Sequence, residues 1–196
     1  MKLSTRELVT IAVFGTLWGV VEISLGSVLK SLNIPLSGVV LAAIGLIVAL
    51  IGRVFVPKKG ATLFIGVIAT LLKLFSLGGI LIGPMVGIIS EALVAEIVLS
   101  ASGKPRKFGF ILAGALGVLW ALVQPFLTGP LLFGRTIFTV WLDLLDAGGR
   151  LLGIDANAAI WIVAIMALIH LIIGSVAGTL GWNLGEKLKK NVGRGA

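Results

Sequence analysis

Six apolar stretches, each ended by Pro, Gly or clustered charge, occupy nearly all of this 196-residue chain. A bilayer core about 30 Å thick takes about 20 apolar residues of helix to cross. Helix is the form such a stretch must take, because nothing in hydrocarbon can satisfy the backbone of an open strand. The stretches run approximately Glu7–Leu32, Leu36–Val56, Ala61–Leu77, Ile80–Ser102, Phe108–Phe133 and Asn157–Leu188. Breaks fall at Asn33-Ile34-Pro35, Pro57-Lys58-Lys59-Gly60, Gly78-Gly79 and Gly103-Lys104-Pro105, all turn chemistry. The expected fold is an all-α integral membrane protein with six transmembrane helices and a single domain over residues 1–196.

Composition supports that class. Hydrophobic residues make up 58% of the chain and charged residues 12%, and the mean hydropathy is +1.17. Such a chain leaves no room for a soluble catalytic domain. The net charge of +8 is not a nucleic-acid signal, because the basic residues lie between the apolar stretches rather than on one soluble face. With no Cys there are no disulfides, thiolate ligands or cysteine nucleophile, and with no Tyr there is no phenol to act as an acid. Lys2 and Arg6 ahead of an apolar run imitate a signal peptide, but Glu22 interrupts the run and no persuasive small-x-small cleavage site follows. The segment reads as a retained first helix.

Five of the six stretches carry a polar residue on the same face as their small residues: Glu22, Lys73, Glu91, Gln124 and His170. A charge at the centre of a spanning helix costs about 3 kcal/mol on insertion scales and marks a functional site by default. Small residues mark where helices pack. At 100° per residue, Ala12, Gly15, Gly19, Glu22 and Gly26 fall on one face of the first stretch. Lys73 shares a face with Gly66, Ala69 and Thr70, and Glu91 with Gly87 and Ser90. Gln124 lies with Ala113, Gly117 and Trp120, and His170 with Gly174, Gly178 and Gly181. The second stretch has a small face, Ala42, Gly45, Ala49 and Gly52, with no polar residue on it. Six residues form the expected substrate pocket: Glu22, Lys73, Glu91, Trp120 as a stacking platform, Gln124 and His170.

Each has a structural alternative. Glu22 and Lys73 can be a buried ion pair that sets helix register. Glu91 can bond a Ser or Thr of a neighbouring helix. The Gln124 amide can satisfy the carbonyl that Pro125 leaves free. His170 can be a hydrogen-bonded packing residue, and Trp161 an interfacial anchor.

Basic residues set the expected orientation. Lys2, Arg6, Arg53, Lys58, Lys59, Lys104, Arg106, Lys107, Lys187, Lys189, Lys190 and Arg194 fall on one side. Lys30, Arg135 and Arg150 fall on the other. The positive-inside rule then puts both termini in the cytoplasm of a multi-pass protein of the cell membrane. Glu22, Lys73 and Gln124 are expected in the outer half, with Glu91 and His170 near the middle. Glu96 lies deeper and about 140° round the helix from Glu91, so it is expected outside the pocket, as an inner structural or partner-facing residue. In the connection Arg135–Ala156, Phe138, Trp141 and Leu145 recur at helical spacing. It is expected to form a short interfacial helix or a lid.

Several chemistries lack their motifs. No Gly-x-x-x-x-Gly-Lys-Ser/Thr, His-Glu-x-x-His or Gly-x-Ser-x-Gly is present, and a single His excludes a multi-His metal site. No cofactor, metal or enzymatic activity is expected, although a Ser90–His170 hydrolase stays formally open. No inverted repeat with paired broken helices is evident, which weighs against a secondary transporter.

The chain resembles the S components of energy-coupling factor (ECF) transporters in its six helices, internal termini, Gly-rich seams and outer-half polar residues. The stretch Gly83-Pro84-Met85, continuing to Ala95-Glu96-Ile97-Val98-Leu99, is similar to the corresponding segment of the YkoE-like group, associated with the thiamine precursor hydroxymethylpyrimidine. The resemblance implies a substrate-capturing subunit of an ECF-type ABC transporter. It would take up a vitamin or precursor, with a transmembrane coupling subunit and ATPase subunits as partners. In that family an Ala-x-x-x-Ala pattern on the first helix contacts the coupling subunit. Here Ala12 is followed at that spacing by Thr16, with Gly15 and Gly19 alongside, so the small face is kept and the motif is not. The family's pocket, built by later helices, carries over to Glu91, Trp120, Gln124 and His170, whereas Glu22 and Lys73 come from the physical reading alone. The alternative is a self-sufficient proton-coupled carrier of a small polar solute, with Glu22, Glu91 and His170 as its relay. A membrane enzyme or assembly factor is a third class, which no motif favours.

Overall fold

The computed structural model describes residues 2–32, 34–76, 82–103 and 105–194. The expected breaks at Asn33, Gly78-Gly79 and Lys104 lie outside the described residues, as do the side chains of Lys30 and Arg194. All regular structure among the described residues is helical. The helices are α1 (Thr5–Ser31), α2 (Ser37–Phe55), α3 (Ala61–Lys73), α4 (Ile82–Ala101), α5 (Lys107–Val123), α6 (Pro125–Phe133), α7 (Ile137–Leu152) and α8 (Ala159–Arg194).

Four of these, α1, α2, α4 and α8, are long and apolar enough to cross a membrane. A fifth crossing is made if α5 and α6, bent by 42° where Pro125 starts a new helix, count as one broken span. The expected third span is only 13 residues of helix, ending at Lys73. The six expected spans therefore resolve into four full-length helices, one bent pair and one short helix. The expected helix in the connection Arg135–Ala156 is present as α7, capped by Thr136, whose side chain accepts from Thr139 N at 3.0 Å. Leu145 is buried, while Phe138 remains exposed.

α2 is the central helix, with α1, α3, α4, α5 and α8 as neighbours. The α5–α8 contact is the most extensive and rests on glycine. A Cβ on Gly114 would collide with the backbone of Gly174 and Gly178, and one on Gly178 with that of Phe110 and Ile111. The two backbones thus touch directly, the close approach that small residues allow between helices. Beside them the rings of Phe110 and Trp182 meet edge to face at 4.9 Å.

One end of the bundle gathers both termini. Ser4 and Glu7 form a reciprocal cap on α1, with Ser4 N donating to Glu7 Oε2 at 2.7 Å and Glu7 N to Ser4 Oγ at 3.3 Å. Lys58, just past α2, donates to the same Glu7 oxygen at 2.7 Å and to the Lys2 carbonyl at 3.1 Å. Lys189 of α8 reaches the Val54 carbonyl at 3.1 Å. At the opposite end α1, α3 and α5 finish while α2 and α4 begin. There α2 is entered through Leu36 at φ 58°, a left-handed conformation that costs a side-chain-bearing residue about 1–2 kcal/mol. Its side chain packs against the cluster of Leu145, Ile162 and Met166, joining that entry to α7 and α8.

Replacing Gly114 or Gly178 with Val puts side-chain atoms where backbone now lies. Either change should destabilise the fold by about 1–3 kcal/mol, the usual range for overpacking, read as a lowered unfolding temperature in detergent. Gly38→Ala, whose new Cβ would meet nothing within 4 Å, serves as the control with little change.

Candidate functional site

At the end opposite the termini lies a cavity of about 470 Å³, a volume within the usual range for small-molecule sites. All of the first five helices contribute to it. Glu22, Gly26 and Ser27 come from α1, Ser37, Gly38, Leu41 and Ala42 from α2, and Lys73 and Ser76 from α3 and its end. Gly83, Pro84, Gly87, Ile88 and Glu91 come from α4, and Ala121 and Gln124 from the α5 terminus. Four of the six expected pocket residues, Glu22, Lys73, Glu91 and Gln124, therefore line one space.

Lys73 reaches α1 from the last turn of α3. Its ammonium donates to the Glu22 carbonyl at 2.7 Å and lies 3.4 Å from Glu22 Oε2. Both side chains are more than nine-tenths buried. The approach depends on glycine along α1, because Gly15 and Gly19 let Ile68 and Leu72 of α3 press onto the α1 backbone, and a Cβ on Gly26 would stand 3.4 Å from the Lys73 nitrogen. The ion-pair alternative for Glu22 and Lys73 and their place in the cavity are thus both features of the structure.

Glu91 is 94% buried, at 6% exposure, and lines the cavity. It makes no hydrogen bond or ion pair among the described residues, so the alternative of a bond to a neighbouring Ser or Thr is not realised. Gln124 crosses to α4, where its Nε2 donates to the Gly83 carbonyl at 3.0 Å instead of serving the carbonyl freed by Pro125. Gly87 makes room for it, since a Cβ there would lie 2.9 Å from Gln124 Oε1.

Two expected members stand elsewhere. Trp120 is engaged on α4, where its Nε1 donates to Ser90 Oγ at 2.6 Å, and it does not line the cavity. His170 is buried on α8, a helix that contributes nothing to the lining, and its Nδ1 bonds the Met166 carbonyl one turn back at 2.7 Å. The relay of Glu22, Glu91 and His170 is therefore not assembled around one space. Ser90 and His170 are likewise engaged with other partners, which leaves no Ser–His pair. No group of three metal-ligating side chains occurs among the described residues.

The partner-contact set also divides. Gly15 and Gly19 are covered by α3, so only Ala12 and Thr16 of that set face outward. Glu96 is not partner-facing: it accepts from Arg53 at 3.4 Å, from Thr62 N at 3.0 Å and from Ser100 Oγ at 2.5 Å, all away from the cavity. Its carboxylate serves an N–H of the first turn of α3, where Gly60 offers no side-chain cap. Arg53 is 4% exposed, although the sequence sets it among the basic residues that mark one side of the membrane. Trp18 is the largest feature the sequence reading missed. It is fully buried one turn below Glu22, fits against Gly45 and Gly66, and its Nε1 finds no acceptor among the described residues. Its place on the Glu22 side of α1, opposite the Gly45 face of α2, is the signal that would have found it.

No family model, curated protein or solved structure matches this chain.

Removing one partner of a buried ion pair leaves an uncompensated charge and costs about 3–5 kcal/mol, whereas removing both is far milder. Lys73→Met should therefore lower the unfolding temperature more than the double variant Glu22→Gln, Lys73→Met. A double-mutant cycle on the purified protein measures the difference.

Proposed function

We propose that this chain is a substrate-capturing membrane subunit that binds a small polar nutrient in the cavity between α1 and α5. One observation carries the reading: ionisable groups from three helices and an amide from a fourth meet in one space of about 470 Å³ at a single end of an apolar bundle. Apolar helices do not collect buried charges at random, because each charge is costly unless it has a task or a partner. Leu41, Ala42 and Ile88 supply the apolar wall that such sites usually have.

With the basic, terminus-bearing end in the cytoplasm, the cavity opens outward and α3 makes the sixth, short crossing. This arrangement fits the resemblance to ECF S components. In that reading the chain delivers a vitamin or a precursor such as hydroxymethylpyrimidine when a coupling subunit and ATPase subunits reorient it. Partner contact would use the outward residues Ala12 and Thr16 of α1. The chain itself would hydrolyse no ATP.

Native mass spectrometry of the protein purified from its own cells tests the reading. A small molecule should travel with the wild type and be lost from Gly38→Trp, which fills the cavity from an open position on α2. An ATPase pair in the same preparation would identify the partners. A solute retained equally by Gly38→Trp would place binding elsewhere. Uptake by the chain alone in liposomes, driven by a pH gradient without ATP, would favour the carrier instead.

A further inference from the structure

The cavity's most deeply buried unspent hydrogen-bonding groups are acceptors. Lys73 spends two of its three N–H donors on Glu22. Ser27 Oγ donates to its own helix at the Ile23 carbonyl, 2.7 Å away. Gln124 spends an N–H on Gly83, which turns its carbonyl oxygen the other way with no donor of its own among the described residues. Both oxygens of Glu91 are likewise without a donor. The Ser37 and Ser76 hydroxyls, the third Lys73 N–H and the second Gln124 N–H can still donate into the space, but the one charged group there without a partner is the Glu91 carboxylate.

Charge points the same way. Ionised, the lining holds two carboxylates, Glu22 and Glu91, against one ammonium, Lys73, and that ammonium is locked onto Glu22. One negative charge is left over, on the side chain that has no partner. An isolated buried carboxylate is strongly disfavoured, and a cation that brings its own N–H donors satisfies both its charge and its oxygens. The volume is far larger than a bare ion needs, and no three-ligand metal cluster stands among the described residues.

Building on the capture reading, we propose that the ligand is an organic monocation with several N–H groups, an ammonium or amidinium, seated against Glu91 with Gln124 Oε1 as a second acceptor. The carboxylate–ammonium pair of Glu22 and Lys73 is then the fixed wall of the site and Glu91 its charge-reading element.

Three probes of one shape separate charge from fit: benzamidinium, neutral benzamide and anionic benzoate, titrated by calorimetry into the full chain in detergent. Benzamidinium should bind at least tenfold more tightly than benzamide, and benzoate should not bind. Glu91→Gln should bring benzamidinium down to the level of benzamide. The order of the three probes on the wild type tests the inference even where that variant does not fold. Benzamide or benzoate binding as well as benzamidinium overturns the inference, as does no binding of benzamidinium or a preference that survives Glu91→Gln. A neutral or anionic probe displaced by Gly38→Trp would overturn the charge assignment while leaving capture in this cavity intact. If all three probes fail and no solute co-purifies, the capture reading falls as well.

Discussion

An ammonium group inside an apolar bundle has to be neutralised where it stands, and Lys73 sets the terms for the helices around it. Its partners are a carbonyl and a carboxylate of one residue, Glu22, on a neighbouring helix. That contact requires α1 and α3 to run within reach of each other along their length. Gly15 and Gly19 supply the close approach, and Gly26 leaves the space into which the ammonium extends. At the other end of α3, Glu96 and Arg53 form a second buried pair, and Glu96 also holds an N–H of the helix's first turn. A single short helix is thereby tied through charged groups to α1 and α4, and α2 joins the same Glu96 carboxylate through Arg53.

The cavity is the counterpart of that arrangement. Where opposing side chains match, as along α5 and α8, glycine lets backbones meet and no space is left. Beyond Trp18, the ends of α1, α3 and α5 and the starts of α2 and α4 set serines, glycines and charged groups among Leu41, Ala42 and Ile88, and these do not interlock. Large aliphatic side chains would close such a space, as Leu46 and Leu50 do deeper in the core. A packed core thus gives way to a chamber of mixed polar and apolar lining within a few turns of the same helices.

Much of this was legible in the sequence, and the failures share one cause. Helical periodicity gives the angle at which a residue points but not what stands opposite. Glu22, Lys73, Glu91 and Gln124 share faces with small residues and come together; His170 does the same yet is bonded within its own helix, beside a seam that backbone already fills. Trp120 is drawn away by the hydroxyl of Ser90, a partner that no one-helix projection can select. Gly15 and Gly19 look the same from the sequence whether they await another protein or, as here, hold α3. Arg53 reads in the sequence as one of the basic residues that mark one side of the membrane, whereas Glu96 at a similar depth draws it inside. Span lengths failed at α3 and at Pro125 because hydropathy continues through a turn or a bend that the backbone does not.

The shortness of α3 has a consequence for the lipid beside it. Thirteen residues of helix cover about 20 Å, some 10 Å less than a hydrocarbon core, and Phe64 and Leu71 present this short column outward. Charged contacts at both ends hold α3 against the axial sliding or tilting that would relieve the mismatch. If α3 is the short sixth crossing proposed above, the adjustment falls to the lipid, which would thin along this one flank. Headgroups and their water would then dip toward Lys73, and on that reading the local depth of the membrane, and with it lipid composition, would act on the rim of the cavity.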